Sequence, residues 1–447
     1  MIHKNNILGE DIQTMKQLTV VLIGAGGRGS AYAKHMHMTP EKYKIVAVAD
    51  PNKEKCRVIR EMYGFSEDMC FSDWKDLLAL PKMADIAVIA TSDNLHYEPA
   101  MKAISLGYDL LLEKPVAQTV KECTDIANAA KEKNVSVLVC HVLRYTPFYK
   151  KVKSIITSGT LGEIVSLDQT ECVGNVHFSH SFVRGNWHSE KEATPMILAK
   201  TCHDLDMAQW LIDKPCKKVS SFGSLTHFTE KNAPEGSPRR CIDGNCPHAK
   251  TCVYNCETLY IHNPDGRPWK DIFKKQVATH DNFSDEELRE ALKRTDYGLC
   301  VYHANNDMVD HQIVNMEFAD GVISHLSVNA FNGGGRYIHI YGTRGELYAF
   351  ESDKEIQIYN FAEGKRYKVP VLEEGETIVG GHLGGDLGIV TDLYDYLTGN
   401  YTGNSIANIR VSVANHLIGF AAEEARHNDT VVQMDDYFAK NNYENLL

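Results

Sequence analysis

Long apolar runs are missing from this 447-residue sequence. No stretch approaches the roughly 20 apolar residues that cross a bilayer. The opening residues, MIHKNNILGEDIQTMKQ, lack the apolar centre of a secretory leader. Neither a membrane anchor nor export is expected, which leaves the cytoplasm. Basic residues are also short: 47 Lys and Arg face 59 Asp and Glu, a formal net charge of −12. A chain of that sign is poorly matched to nucleic-acid phosphates or an anionic lipid surface. No internal repeat or low-complexity tract is present. What is there is globular material, 43% hydrophobic, enough for about two to four domains. The 12 cysteines read mostly as free thiols in a reducing compartment.

The first third alternates strand and helix patterns. An apolar run at 18–23 leads straight into Gly24-Ala25-Gly26-Gly27-Arg28-Gly29. Helix-compatible residues 30–37 follow, then a second strand, 45–49, that stops at Asp50. Strand, G-x-G-x-x-G, helix, strand and an acid about 20 residues on make a dinucleotide fingerprint. Gly24 makes the tight turn, Gly26 lets backbone approach the pyrophosphate, and Gly29 lets helix and strand pack closely. The helix start offers free N–H groups to the phosphates, with Gly27 and Arg28 in the same turn. Asp50 can accept from the adenine-ribose hydroxyls and would repel a 2′-phosphate, so NAD is expected in preference to NADP. Further strands are predicted at 85–90, 108–112 and 135–140, with a helix at 119–134. Ligands of open parallel sheets bind outside the carboxyl ends of the strands. That singles out Asp50, Ser92, Asn94, Glu113, Lys114, His141 and Arg144. His96, just beyond Asn94, joins the cofactor-facing set.

From residue 144 the pattern changes. A helix at 148–156 precedes strands at 164–173, 219–228, 311–318, 322–330, 337–341, 346–350, 355–360 and 366–371. Asp320-Gly321 and Thr343-Arg344-Gly345 mark hairpins. One helix, 202–211, lies between the first two of these strands, and further helices run from 383 to near Glu424. The expected architecture is an N-terminal arm (1–15), an α/β Rossmann domain with a doubly wound parallel sheet (16–143), and an α+β domain with a large, mostly antiparallel sheet (144–447). Residues 229–300 read as an irregular Cys-rich insertion with one clear helix, 284–293, whose Ser284 and Glu287 are spaced as a capping box.

Three further motifs add a resemblance. Glu113-Lys114-Pro115 ends a Rossmann strand, Arg144-Tyr145 follows the fifth strand, and Cys202-His203-Asp204-Leu205-Asp206 opens a helix. Together with the domain order, they resemble the glucose–fructose oxidoreductase / inositol dehydrogenase family over nearly the whole chain, the N-terminal arm and the insertion excepted. The resemblance implies that Lys114 sits by the nicotinamide and contacts the reacting hydroxyl. It implies that His203 is the base that takes the hydroxyl proton, a role suited to histidine near neutral pH. Asp206, one helical turn on, is expected to orient the imidazole or cap the helix. Many members of the family carry an aspartate four residues before the histidine; this sequence has Ala199 there, with Lys200 beside it. Lys200 is therefore a third catalytic candidate, either a base with a depressed pKa or a cation paired with a cofactor phosphate or a nearby acid. Arg144 is counted with the cofactor-binding residues. A stretch containing His177, His180, Arg184, Trp187 and His188 combines the aromatic faces and hydrogen-bonding groups that sugars use. The set expected to face substrate is His180, Arg184, Trp187, Asp204 and His382, and a homo-oligomer through the C-terminal sheet is expected.

Four cysteines fall within 16 residues, Cys241, Cys246, Cys252 and Cys256, spaced C-x4-C-x5-C-x3-C. Zinc ligands are usually two to four apart, so the fit is loose. Yet the insertion has few apolar residues, and clustered thiolates in a reducing compartment read as metal ligands before disulfides. Zinc is the first reading, an iron–sulfur cluster the second, unligated thiols the third.

The expected activity is NAD-dependent oxidation of a secondary hydroxyl on a sugar, glycoside or cyclitol. The alternative is an NAD-dependent glycosidase: C3 is oxidised, the acidified C2 proton is removed by a second base, the C1 substituent leaves, water adds and the hydride returns. A non-catalytic NAD-binding regulator is a third reading, disfavoured because it needs neither Lys114 nor His203.

Overall fold

The computed structural model describes residues 16–262, 270–280 and 282–443. The expected N-terminal arm, 1–15, lies outside these. Six parallel strands form the first sheet: β1 Leu18–Ile23, β2 Tyr43–Ala49, β3 Cys70–Phe71, β4 Ile86–Ile89, β5 Asp109–Leu112 and β6 Val137–Val139. Their spatial order is β3-β2-β1-β4-β5-β6. The chain reverses direction across the sheet between β1 and β4, the place where a doubly wound sheet opens its ligand crevice. Helices cover both faces, so the central strands are apolar along their whole length rather than alternating; β4 is buried at all four positions. The two-residue β3 lies outside the expected set, being too short to carry a periodicity.

The second sheet has nine strands: β7 Ile164–Cys172, β8 Cys216–Ser224, β9 His311–Phe318, β10 Ile323–Asn329, β11 Gly335–Gly342, β12 Gly345–Phe350, β13 Glu355–Asn360, β14 Lys365–Pro370 and β15 Val432–Gln433. The order is β14-β13-β12-β11-β7-β10-β9-β8-β15. Neighbours are antiparallel except β7 and β10. The β9–β10 turn forms as the sequence indicates, with Asp320 and Gly321 both left-handed at φ 59° and 76°. Burial alternates along β9 and β10. The inner face packs against the helices Cys202–Ile212 and Ile409–Asn428, while Val165, Ile323, Tyr337 and Tyr348 stand exposed on the strands.

One expectation needs correction. The insertion is more ordered than its composition indicates. It holds a second helix, Lys270–Ala278, besides Asp285–Arg294 with its Ser284/Glu287 capping box. It also builds its own small core from Cys256, Tyr260, Ile261, Phe273, Val277, Leu288 and Leu292. The core of the first domain also draws on a distant segment. The helix Gly385–Leu397, near the other end of the chain, buries Ile389, Val390, Leu393 and Tyr394 in the same cluster as β1 and β2. The Tyr43 hydroxyl donates to the Val390 carbonyl at 2.7 Å. Among the described residues, no helix is long and apolar enough to cross a membrane.

Candidate active site

The glycine-rich turn has the geometry its sequence requires. Gly24 is left-handed at φ 89°, and a Cβ there would lie 2.6 Å from the Ala90 carbonyl oxygen. A Cβ on Gly29 would lie 1.9 Å from the Gly24 oxygen, so only glycine lets the helix start this close to β1. A Cβ on Gly26, by contrast, would meet nothing within 4 Å, leaving that face of the turn open. The helix Gly27–His37 begins with no side-chain cap and no acid in its first turn. Its N–H groups and positive dipole end are therefore available to an anion. Asp50 closes β2: one carboxylate oxygen accepts from the Ala25 N–H and the other from the Asn52 N–H, each at 2.8 Å. A carboxylate has about four acceptor positions, so capacity remains for ribose hydroxyls. The turn fits an NAD pyrophosphate and the acid fits its ribose.

At the end of β5, Lys114 reaches across to the second domain and donates to the Ala199 carbonyl at 2.7 Å. At residue 199, where the resemblance leads one to expect an aspartate, it is the main-chain carbonyl that accepts from the lysine. His203 keeps 9% exposure, and its Nδ1 has no hydrogen-bond partner. Its ring meets that of His141 edge to face at 5.8 Å, and His141 in turn meets His416 at 5.8 Å. His416 accepts from the Val116 N–H through Nε2, so its Nδ1 carries the proton given to the Ser412 carbonyl. Burial pushes all three imidazoles below the usual histidine range, His416 to about 3. For His203, the charge of Lys114 adds to burial. A His203 held neutral by burial can accept a proton.

These depressed values carry a stability prediction. In the unfolded chain each imidazole takes a proton below about pH 6.5; in the folded chain it resists. As pH falls, the unfolded state binds protons first, so stability is full above about 6.5 and is lost progressively below it. Urea midpoints are expected to drop between about pH 7.5 and about pH 5, and an unchanged midpoint would contradict the burial of neutral histidines.

Several residues chosen from sequence are engaged elsewhere. Arg144 is 3% exposed and forms two 2.7 Å bonds to Asp206, which also accepts from Asn415. Arg144 is thus tied to Asp206 at the domain junction, and among the described residues no bond runs from Asp206 to His203 or to the start of its helix. Arg28 bonds Glu113 and Asp386, each at 2.8 Å, and Glu113 also accepts from Tyr32. Both carboxylates neutralise the arginine within the protein. His96 bridges the Pro115 and Thr91 carbonyls, bracing the ends of β4 and β5. Lys200 pairs with Glu171 at 3.3 Å, the nearby-acid alternative. Asp204 is buried against Arg336, which also pairs with Glu171 and Glu351. His180 bonds Tyr260 and Gln276 and stacks on Phe273 and Tyr297, and Arg184 donates to the Leu299 and Tyr254 carbonyls. Both anchor the insertion.

Others stay at the crevice. His382 contacts Asp386 and Arg28 above the turn. Trp187 donates to Asp93 at 3.0 Å, and so lies beside Ser92 and Asn94 at the end of β4. The sequence reading passed over Asp93, Glu171, Arg336 and Asn415. For Glu171 a signal existed: a charge placed among the inward positions of β7. His177 lies close enough to Lys200 and Lys114 to feel both charges, and burial keeps it neutral.

Comparison with known proteins bears on this arrangement. Residues 18–141 match the model of an oxidoreductase family by its NAD-binding Rossmann fold, and residues 153–383 match the C-terminal alpha/beta domain of the same family. The chain belongs to this family, that of glucose–fructose oxidoreductase and inositol dehydrogenase. Within the family it is 24% identical to YteT of Bacillus subtilis, over 79% of this chain and 82% of that protein. It is 28% identical to the 2,7-anhydro-N-acetylneuraminate hydratase of Escherichia coli over 46% of this chain and 53% of the hydratase, so about half that relative's length is matched. Levoglucosan dehydrogenase solved with NADH superposes with a TM-score of 0.67 at 18% identity, covering 94% of this chain and 99% of that one. This family member therefore shares the fold of that dehydrogenase over 94% of its length, with an NAD-binding first domain.

Proposed function

We propose that the protein transfers hydride from a secondary hydroxyl of a sugar, glycoside or cyclitol to NAD. The observation that carries this reading is the meeting of Lys114 and neutral His203 at the carboxyl edge of the parallel sheet, beside an open glycine turn. The Gly24–Gly29 turn would hold the pyrophosphate, and Asp50 would hold the adenine ribose and disfavour NADP. Bound NAD supplies the hydride acceptor. His203 takes the hydroxyl proton as the C–H bond breaks, and Lys114, held by the Ala199 carbonyl, donates to the same oxygen. Trp187 and His382 wall the substrate space. The levoglucosan dehydrogenase and hydratase relatives support a small carbohydrate substrate.

A second reading is the redox-neutral glycosidase, which needs a further base. Lys200, tied to Glu171, is poorly placed for that, whereas neutral His177 is close to both lysines. The hydratase relative supports this reading in kind.

One assay separates the two. With a panel of sugars and chromogenic glycosides and NAD below stoichiometric amounts, NADH is expected to rise in step with oxidised product, and NADP is expected to serve poorly. Many aglycones released per NAD, with no NADH signal, would move the assignment to the glycosidase.

We also infer a cytoplasmic setting, supported by twelve free cysteines. Self-association through the second sheet is supported by its exposed Val165, Ile323, Tyr337 and Tyr348. A thiolate-bound metal in the insertion would hold that insertion together and stands apart from the hydride step.

A further inference from the structure

Among the four cysteines expected to bind metal, Cys256 is the odd one. It is fully buried in the insertion's apolar core, packed with Tyr260, Phe273 and Leu292, while Cys241, Cys246 and Cys252 are partly exposed. A fifth, partly exposed cysteine, Cys300, is brought in from more than forty positions away in sequence. An isolated bridge pairs Arg240 with Leu299, and the Cys300 N–H donates to the Arg239 carbonyl at 2.9 Å. These bonds lay Cys300 opposite Arg239, two positions from Cys241. Cys241 and Cys252 are close enough to push the Cys300 thiol up, as Cys241 and Cys246 do for Cys252, adding to burial in both cases.

Arg184 supplies a second, independent observation. Its guanidinium is 2% exposed and donates to the Leu299 and Tyr254 carbonyls, each at 2.8 Å. Leu299 precedes Cys300, and Tyr254 lies between Cys252 and Cys256, so one side chain clamps two cysteine-bearing segments. Its Nη1 is buried without a partner. Among the described residues no carboxylate pairs with Arg184. A buried cation without a counter-ion is unfavourable, and the anion it lacks is what a metal ringed by thiolates supplies. The Cys241 sulfur already accepts from the Cys256 N–H at 3.3 Å and from Asn255 at 3.6 Å, bonds that stabilise a thiolate.

We propose that Cys241, Cys246, Cys252 and Cys300 bind one thiophilic metal centre, zinc or an iron–sulfur cluster, with Arg184 as its buried counter-charge, and that Cys256 is a core residue and not a ligand. Zinc takes four thiolates at about 2.3 Å; an iron–sulfur cluster takes one thiolate per iron and spans more space. Among the described residues no three of these sulfurs lie within 4.8 Å of one another, so as placed they do not form a closed tetrahedral zinc site.

Full-length protein purified without oxygen or chelator is expected to carry about one zinc or about four irons per chain; visible absorption marks the iron form and its absence the zinc form. Cys300→Ser is expected to lose at least half of that metal, and Cys256→Ala to keep it. Metal-free wild-type protein would overturn the proposal, as would a Cys300→Ser protein that retains its metal or a soluble Cys256→Ala protein that loses it. A measurement without variants guards against misfolding. In the wild type, Cys300 is expected to resist alkylation until the metal is removed; its alkylation with the metal still bound would equally overturn the assignment.

Discussion

His203→Ala and Lys114→Ala are each expected to lower turnover by about 10²- to 10⁴-fold, the usual contribution of a positioned acid or base, while NAD still binds. Both side chains sit at the meeting of the two domains, and neither belongs to the glycine turn that would hold the phosphates. Lys114 is fixed by a main-chain carbonyl, so Ala199→Gly should leave that bond intact and change turnover far less than removing the lysine. NAD titration followed by fluorescence and steady-state turnover on the best substrate check this. Losses below about tenfold, or about 1.4 kcal/mol of transition-state stabilisation, would mean the roles belong to other residues. The pH profile gives a second check. Because burial and Lys114 lower the His203 proton affinity, the acid limb of kcat/KM should lie below the normal histidine range and move when Lys114 is replaced.

The largest stability loss is expected from Asp206→Ala, about 3–5 kcal/mol, the range for removing one partner of a buried ion pair. Asp206 is 0% and Arg144 3% exposed at the side chain, and they share two 2.7 Å bonds. Without the carboxylate, the guanidinium stays buried beside Trp210 with its charge uncompensated. The exposed pair Lys121–Asp125 is the contrast: Lys121→Ala should leave the urea midpoint unchanged. Replacing Arg144 and Asp206 together should cost less than the sum of the two single changes, since neither charge is then left alone. An Asp206→Ala protein with a near-normal midpoint would show that the pair contributes little beyond positioning the helix.

Local rules made much of this molecule legible. The glycine turn, Asp50 and the parallel strands follow from short-range constraints that one stretch of sequence states in full: a buried apolar run, a residue that must be left-handed, a helix start without a cap. Lys114 and His203 were found through motif resemblance, and the structure brings both to the domain junction. The residues found engaged elsewhere have one feature in common. Arg144, Arg184 and His180 carry the polar groups of a binding site, yet each is satisfied by a partner 62 to 115 positions away along the chain, and no pattern within one segment states such pairings. Ala199 misled in the opposite direction: its side chain is inert, but its carbonyl accepts from Lys114. The insertion was underestimated because its core is assembled from single apolar residues on separate short elements rather than from a periodic face.

The helix Gly385–Leu397, seated on the nucleotide-binding sheet, bears on how the chain is made. Tyr43 and Val390 are 347 positions apart, and at about 5–20 residues per second a ribosome needs roughly 20–70 s to cover that distance. Throughout that interval the nascent first half has no cover for the face that Ile389, Val390, Leu393 and Tyr394 later bury. Synthesis is therefore expected to pass through a chaperone-bound stage, and a release of the chain anywhere before residue 385 should yield insoluble protein rather than a working half.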